Sequence, residues 1–141
     1  MLRIRLIEEE IAREYIKQQI RCPVHLSIGQ EAVPVGISAV LSQKDKIVSA
    51  HRSHAHYLAK GGCLNALLAE IYGRETGCAK GKGGSMHLFD LEAGQVAAVP
   101  IVGSSVSIGT GVGWYLKLSK SNNVVVIYFG DGATEEGSLT E

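Results

Sequence analysis

The residues best suited to chemistry stand in two short runs, Gly130-Asp131-Gly132-Ala133 and His51-Arg52-Ser53-His54-Ala55-His56. The first follows Val124–Phe129, an apolar run of β-branched and aromatic residues that reads as a buried strand. A strand ending in Gly-Asp-Gly sets an acid at the carboxyl edge of a sheet, where α/β proteins bind ligands. Asp131 offers hard oxygen donors suited to Mg²⁺ or Ca²⁺, and the glycines allow close backbone approach. The same aspartate could instead cap a helix starting near Ala133, with Glu135 and Glu136 favouring its dipole. In the second run, Arg52 carries the planar fork that holds phosphate. The three histidines could alternatively bind zinc, although their spacing is loose and no Cys or carboxylate adjoins them. A solvated loop is the third reading.

Two glycine-rich stretches invite a nucleotide reading, and both fail its tests. In Gly77-Cys78-Ala79-Lys80-Gly81-Lys82-Gly83-Gly84-Ser85-Met86-His87, a P-loop would need Gly at Thr76 and Ser or Thr at Gly83. In Gly109-Thr110-Gly111-Val112-Gly113, Trp114 occupies the third glycine position of the dinucleotide fingerprint, and no strand immediately precedes it. Close helix packing is the better account of the second stretch.

These residues need elements to carry them. Residues 1–20 have apolar positions at helical spacing (Ile4, Ile7, Ile11, Tyr15) and charges elsewhere, and predict an amphipathic helix ended by Arg21-Cys22-Pro23. Ser27-Ile28-Gly29-Gln30 has the form of a capping box opening a second helix to about Leu41, kinked at Pro34. A short strand, Ile47–Ala50, delivers the His51–His56 run at its carboxyl end. Leu64–Tyr72 predicts a helix closed by Gly73, and Thr76–Leu88 a loop. Val102–Leu118 predicts a helix crowded with small residues, and Asn122-Asn123 a turn into the last strand. Helices alternating with strands argue for an α/β fold with a parallel sheet. Only two strands stand out, so the sheet reads as incomplete at its carboxyl end.

Composition narrows the function classes. Fourteen basic residues balance 14 acidic ones, giving no reason to invoke nucleic acid or an anionic membrane surface. Apolar content of 45% suits a globular core. The longest apolar run, Val124–Phe129, is far shorter than the roughly 18 residues of a membrane span. The charged, amphipathic start lacks a signal core, which predicts a cytoplasmic protein. Cys22, Cys63 and Cys78 are odd in number and widely spaced, matching neither a disulfide framework nor a CxxC site.

Taken in order, the motifs resemble a known family. His25-Leu-Ser-Ile-Gly29-Gln30-Glu31-Ala32, His51-Arg52-Ser-His54, Gly77 to His87, Ile101-Val102-Gly103 and Gly130-Asp131-Gly132-Ala133 are similar to the alpha subunit of thiamine diphosphate-dependent 2-oxo acid dehydrogenases. That family includes the pyruvate, branched-chain and acetoin enzymes, and the likeness covers essentially the whole chain. It implies a thiamin diphosphate-binding fold, with residues 1–141 as the amino-terminal part of a single domain. It also implies an alpha2beta2 assembly with a beta subunit, a 2-oxo acid substrate that loses carbon dioxide, and acyl transfer to a lipoyl acyltransferase partner. By the same resemblance, His51 and Arg52 would hold the diphosphate. Pro100 and Val102 would meet the aminopyrimidine through backbone groups. Asp131 would coordinate Mg²⁺, and Gly132 and Ala133 would touch the diphosphate. His25 and His54 would lie near the substrate for proton transfer or carboxylate binding.

The chain departs from the family pattern in three places. His51 replaces a common Tyr and can still donate to phosphate. Pro100 replaces a common Gly, losing a donor but keeping the carbonyl. The family's motif runs on to an Asn that completes the metal site, and this sequence ends ten residues after Asp131. The leading expectation is therefore an amino-terminal fragment, inactive alone. The alternatives are a non-catalytic remnant that only packs or binds, and a nucleotide-binding module using the Gly-Lys loop.

Overall fold

A computed structural model describes all 141 residues. Three strands form one parallel sheet: β1 (Lys46–Ala50) lies in the middle, flanked by β2 (Gln95–Val99) and β3 (Val125–Ile127). Parallel neighbours require long crossovers. Helices α3 (His54–Lys60) and α4 (Leu64–Ile71) lie between β1 and β2, and α5 (Ser104–Leu118) lies between β2 and β3. Two further helices, α1 (Leu2–Tyr15) and α2 (Ala32–Ser38), precede the sheet.

Successive strand residues face opposite sides of a sheet, and the end of β3 shows what covers each side. Ile127 lies against Gly109 of α5, so closely that a Cβ there would overlap Ile127 Cγ1. Tyr128 meets His56 of α3, with ring centroids 4.3 Å apart. The sheet is therefore sandwiched, with α5 on one face and α3 on the other. The small residues of α5 permit that approach, as their pattern predicts.

The main core lies on the α3 side. Ile4 and Ile11 of α1, Tyr57 and Leu58 of α3, and Leu67 and Ile71 of α4 close around Leu88. At the amino edge of the sheet, polar groups align the strand starts. The Asp45 carboxylate accepts the Ser42 and Val124 N–H groups at 2.7 and 2.8 Å. Lys60 Nζ donates to the carbonyls of Ser42 and Ala93 at 3.0 and 2.8 Å.

Several expectations are corrected. The first helix ends at Tyr15 and not near residue 20. The capping box does not form: Ser27 Oγ donates to the Arg52 carbonyl, and the helix begins at Ala32. Pro34 then falls in the first turn, where backbone N–H groups have no intrahelical partner, so it need not kink the helix. The His51–His56 run is half helix, because α3 starts at His54 and is closed by left-handed Gly61 (φ 108°). Residues after Asp131 form short 3₁₀ turns, Asp131–Glu135 and Gly137–Leu139, and not an α-helix. Strand β2 escapes the sequence reading because Gln-Val-Ala-Ala-Val has little strand propensity; its pairing with buried β1 supplies the preference. No helix is long and apolar enough to cross a membrane.

Candidate functional site

The chain leaves β1 toward β2 on one side and returns to add β3 on the other. Such a reversal opens a crevice at the carboxyl ends of the two adjacent strands, the usual ligand position in open α/β sheets. A cavity of about 220 Å³ lies there, lined by Ala50 at the end of β1 and His51 after it, Val102 and Gly103 before α5, and Gly130, Asp131, Gly132 and Ala133 after β3. Three segments far apart in sequence thus meet at one point.

The local conformations explain the convergence. Gly103 holds φ 82° and caps α5, and a Cβ there would meet Ser138 Oγ at 2.7 Å, so only glycine fits this turn. The turn aims the amino end of the 15-residue α5 at the cavity, where its dipole favours an anion. The Asp131 carboxylate is exposed and pairs with no cation of the chain. Gly132 sits beside Val102, and Ala133 is buried beneath them.

Of the other candidates, His51 lines this pocket and the rest surround it. His51 packs edge-on against His25, with ring centroids 5.0 Å apart. Burial pushes the His51 imidazole below its ordinary pKa, and the neighbouring His25 and Arg52 add to this. Neutral histidine keeps one N–H to donate. Arg52 spends Nη1 on the Leu26 carbonyl at 2.8 Å, which leaves most of its exposed fork free. Pro100 lies one residue outside the cavity wall. His25 Nδ1 is buried and has no hydrogen-bond partner. His54 points away into the core: it is fully buried, with Nδ1 2.6 Å from Glu8 Oε1 and Nε2 2.8 Å from Ser85 Oγ. His56 lies on Tyr128 with Nδ1 donating to the Arg52 carbonyl, and burial lowers its pKa to about 4. The imidazoles of the run therefore diverge, and no group of three His, Cys, Asp or Glu side chains is gathered for a metal.

A diphosphate and one Mg²⁺ fit this donor set. Mg²⁺ is commonly held by one or two carboxylates with phosphate oxygens and water, and Asp131 supplies one. The cavity is smaller than the roughly 300–1,000 Å³ of whole-ligand pockets, so it suits a small anionic group such as a diphosphate.

Two buried carboxylates escape the sequence reading. Glu70 of α4 accepts four backbone N–H groups of the glycine-rich loop, from Ala79, Gly81, Gly83 and Gly84, at 2.7–3.0 Å. The loop that fails as a P-loop is thus wrapped around a carboxylate of its own chain. Burial opposes ionisation of Glu70, but these four donors prevail and hold its pKa below the ordinary value. Glu8 looks like one of three solvated acids, yet it lies four residues after Ile4 and three before Ile11, on the buried stripe of α1. An acid inside an apolar stripe is the signal that could have marked it. Ser85 carries no comparable signal.

Comparison with known proteins agrees with this geometry. The family model for the dehydrogenase E1 component matches residues 1–141. The chain is 43% identical over its whole length to the alpha subunit of the acetoin:2,6-dichlorophenolindophenol oxidoreductase of Bacillus subtilis, and covers 42% of that protein. It is 42% identical, again over its whole length, to the pyruvate dehydrogenase E1 component subunit alpha of Rickettsia bellii, covering 43% of it. Over 94% of its length it is 41% identical to the mitochondrial pyruvate dehydrogenase E1 component subunit alpha-1 of Arabidopsis thaliana, covering 34% of it. The chain spans less than half the length of these relatives, and every motif of the resemblance falls within the matched residues. The chain belongs to the dehydrogenase E1 component family.

Proposed function

We propose that residues 1–141 are the amino-terminal part of one thiamin diphosphate-binding domain, in the alpha subunit of a dehydrogenase that decarboxylates a 2-oxo acid such as pyruvate. The observation that carries this reading is the meeting of His51 and Asp131 at one diphosphate-sized cavity, beneath the amino end of α5. In this reading His51 and Arg52 bind the diphosphate, and Asp131 binds Mg²⁺. Gly132 and Ala133 approach the phosphate through their backbone, and Pro100 and Val102 meet the aminopyrimidine. His25, half-buried against His51, is the histidine placed nearest the substrate in this reading. Thiamine diphosphate supplies the electron sink for decarboxylation when bound; the chain binds and orients it.

The partners follow from the same reading: a beta subunit in an alpha2beta2 assembly, and a lipoyl acyltransferase that accepts the acyl group. Exposed aromatic and aliphatic residues on α5, including Trp114, Tyr115 and Leu118, support a covered surface there. The test is calorimetry with thiamine diphosphate and Mg²⁺, on this chain and on the alpha subunit assembled with its beta partner. The expected result is weak or absent binding to the chain alone, and Mg²⁺-dependent binding to the assembly that Asp131→Asn and Arg52→Ala each weaken at least tenfold. Tight ATP binding without thiamine diphosphate binding would overturn the reading in favour of a nucleotide module.

A further inference from the structure

His54 is bound on both ring nitrogens, and the groups that bind it reach further. Glu8 uses one carboxylate oxygen for His54 Nδ1 and the other for the Ser27 N–H. Ser85 Oγ meets His54 Nε2 and also accepts the His25 N–H at 3.4 Å. Ser27 Oγ donates to the Arg52 carbonyl at 3.2 Å, and Ser53 Oγ to the Ser85 carbonyl at 3.3 Å. The side chains of Glu8, Ser27, Ser53, His54 and Ser85 are all buried. The outputs of this network are the segment that carries His25 and the segment that carries His51 and Arg52, whose histidine rings touch edge-on.

Hydrogen-bond counting selects one tautomer. Placing the ring proton on Nδ1 lets His54 donate to the Glu8 carboxylate, and Nε2 then accepts the Ser85 O–H. Ser85 Oγ keeps a lone pair for the His25 N–H. With the proton on Nε2, Nδ1 would face a carboxylate without a donor between them, and the Ser85 hydroxyl would lose its acceptor. Carboxylate, imidazole and hydroxyl are arranged as in a nucleophilic triad, but Ser85 is only 1% exposed, so no substrate can reach it.

We propose that Glu8, His54 and Ser85 form a buried positioning relay that fixes the two segments presenting His25 and His51-Arg52 to the cofactor pocket. His54 is then a positioning residue, acting from behind His25. The service to the pocket rests on the function proposed above; the relay itself does not.

The experiment has two arms. Long-range nitrogen–proton NMR of the imidazoles, on this chain, reads the relay directly. The wild type is expected to show the His54 proton on Nδ1. Glu8→Gln should move it to Nε2, and Glu8→Asp should restore Nδ1. Ser85→Ala, the mildest change, should shift the His25 amide and ring signals with the rest of the spectrum intact, and it carries the test if Glu8→Gln does not fold. A wild-type proton on Nε2, or unmoved His25 signals in Ser85→Ala, overturns the relay. The second arm measures thiamine diphosphate affinity of the assembled alpha and beta subunits, where Ser85→Ala and Glu8→Gln should each weaken binding about tenfold, the loss typical of removing a group that orients a ligand. Unchanged affinity in both variants overturns the link to the pocket. Failure of the wild-type assembly to bind overturns the function proposed above, and the NMR arm then decides the relay by itself.

Discussion

The two halves of the molecule place their singled-out carboxylates in opposite ways. Residues before β2 bury their charges in pairs and backbone cradles: Glu8 with His54 and Ser27, Glu70 with four N–H groups, Glu31 with Arg5. Their apolar side chains close into one core around Leu67, Ile71 and Leu88. Residues after β2 leave Asp131 unpaired, and Trp114, Tyr115 and Leu118 each more than 60% exposed. The first half encloses its buried acids within its own core and the second presents Asp131 at the pocket, while both leave apolar surface uncovered, at Ile16 and Val40 as well as on α5. Interior satisfaction supplies stability, whereas unmatched groups persist where a ligand or a neighbouring surface can match them.

The sharpest way to break this contrast is Glu70→Ala. It should leave the N–H groups of Ala79, Gly81, Gly83 and Gly84 without their acceptor and cost on the order of 3 kcal/mol, read as a lowered urea midpoint. A loss under about 0.5 kcal/mol would mean that the loop finds water as readily as carboxylate. Next in size is a matched pair on α5. Gly109→Ala drives a methyl into Ile127 and should destabilise by about 1–3 kcal/mol. Gly111→Ala enters open space and should stabilise by about 0.5–1 kcal/mol. Equal effects from the two would deny the close helix–sheet approach.

Acid should act in two windows. His56 is held near 4, below its ordinary value, so the unfolded chain binds its proton first, and stability falls as pH drops from about 6.5 toward 4. Glu31, held at about 2 by its hydrogen bond from Arg5, adds stability present above its ordinary carboxylate range and lost as pH falls below it toward 2. Thermal melts from pH 7 to 3 should therefore begin to decline in the histidine window, and His56→Gln should shrink that window, to which the depressed His51 also contributes. The smallest expected change in stability comes from α5. Trp114→Lys with Tyr115→Lys should shift it by no more than about 0.5 kcal/mol, yet clearly reduce binding of a hydrophobic dye. Unchanged dye binding would place the exposed apolar surface elsewhere.

Much of the site is legible along the chain. The Val124–Phe129 run marks a strand with Gly130-Asp131-Gly132 at its tip, but its reading as a buried strand is corrected: β3 spans only Val125–Ile127, lies at the sheet edge and is half-buried, with Val124 and Phe129 exposed. Arg52 can be singled out as a phosphate candidate from its chemistry alone, and the structure leaves most of its fork exposed. The second helix cannot be read correctly, since Ser27 serves the Arg52 carbonyl 25 residues away and is unavailable to a local cap. Glu8 hides beside Glu9 and Glu10, and its partner His54 is indistinguishable from the neighbouring histidines until the start of α3 turns it inward.

Read along the chain, residue type and spacing establish the local items: two of the three strands, glycines that turn, a carboxylate and an arginine near strand ends, and five ordered motifs that carry the family likeness. Tertiary structure alone decided which histidine faces a pocket and which is locked in the core. It also decided that a glycine-lysine loop would encircle Glu70, and that Asp131 would stand unpaired beside the amino end of α5. Residue type and spacing act within a few residues, whereas burial and hydrogen-bond partnership depend on segments that come together only when β3 adds beside β1 and closes the sheet.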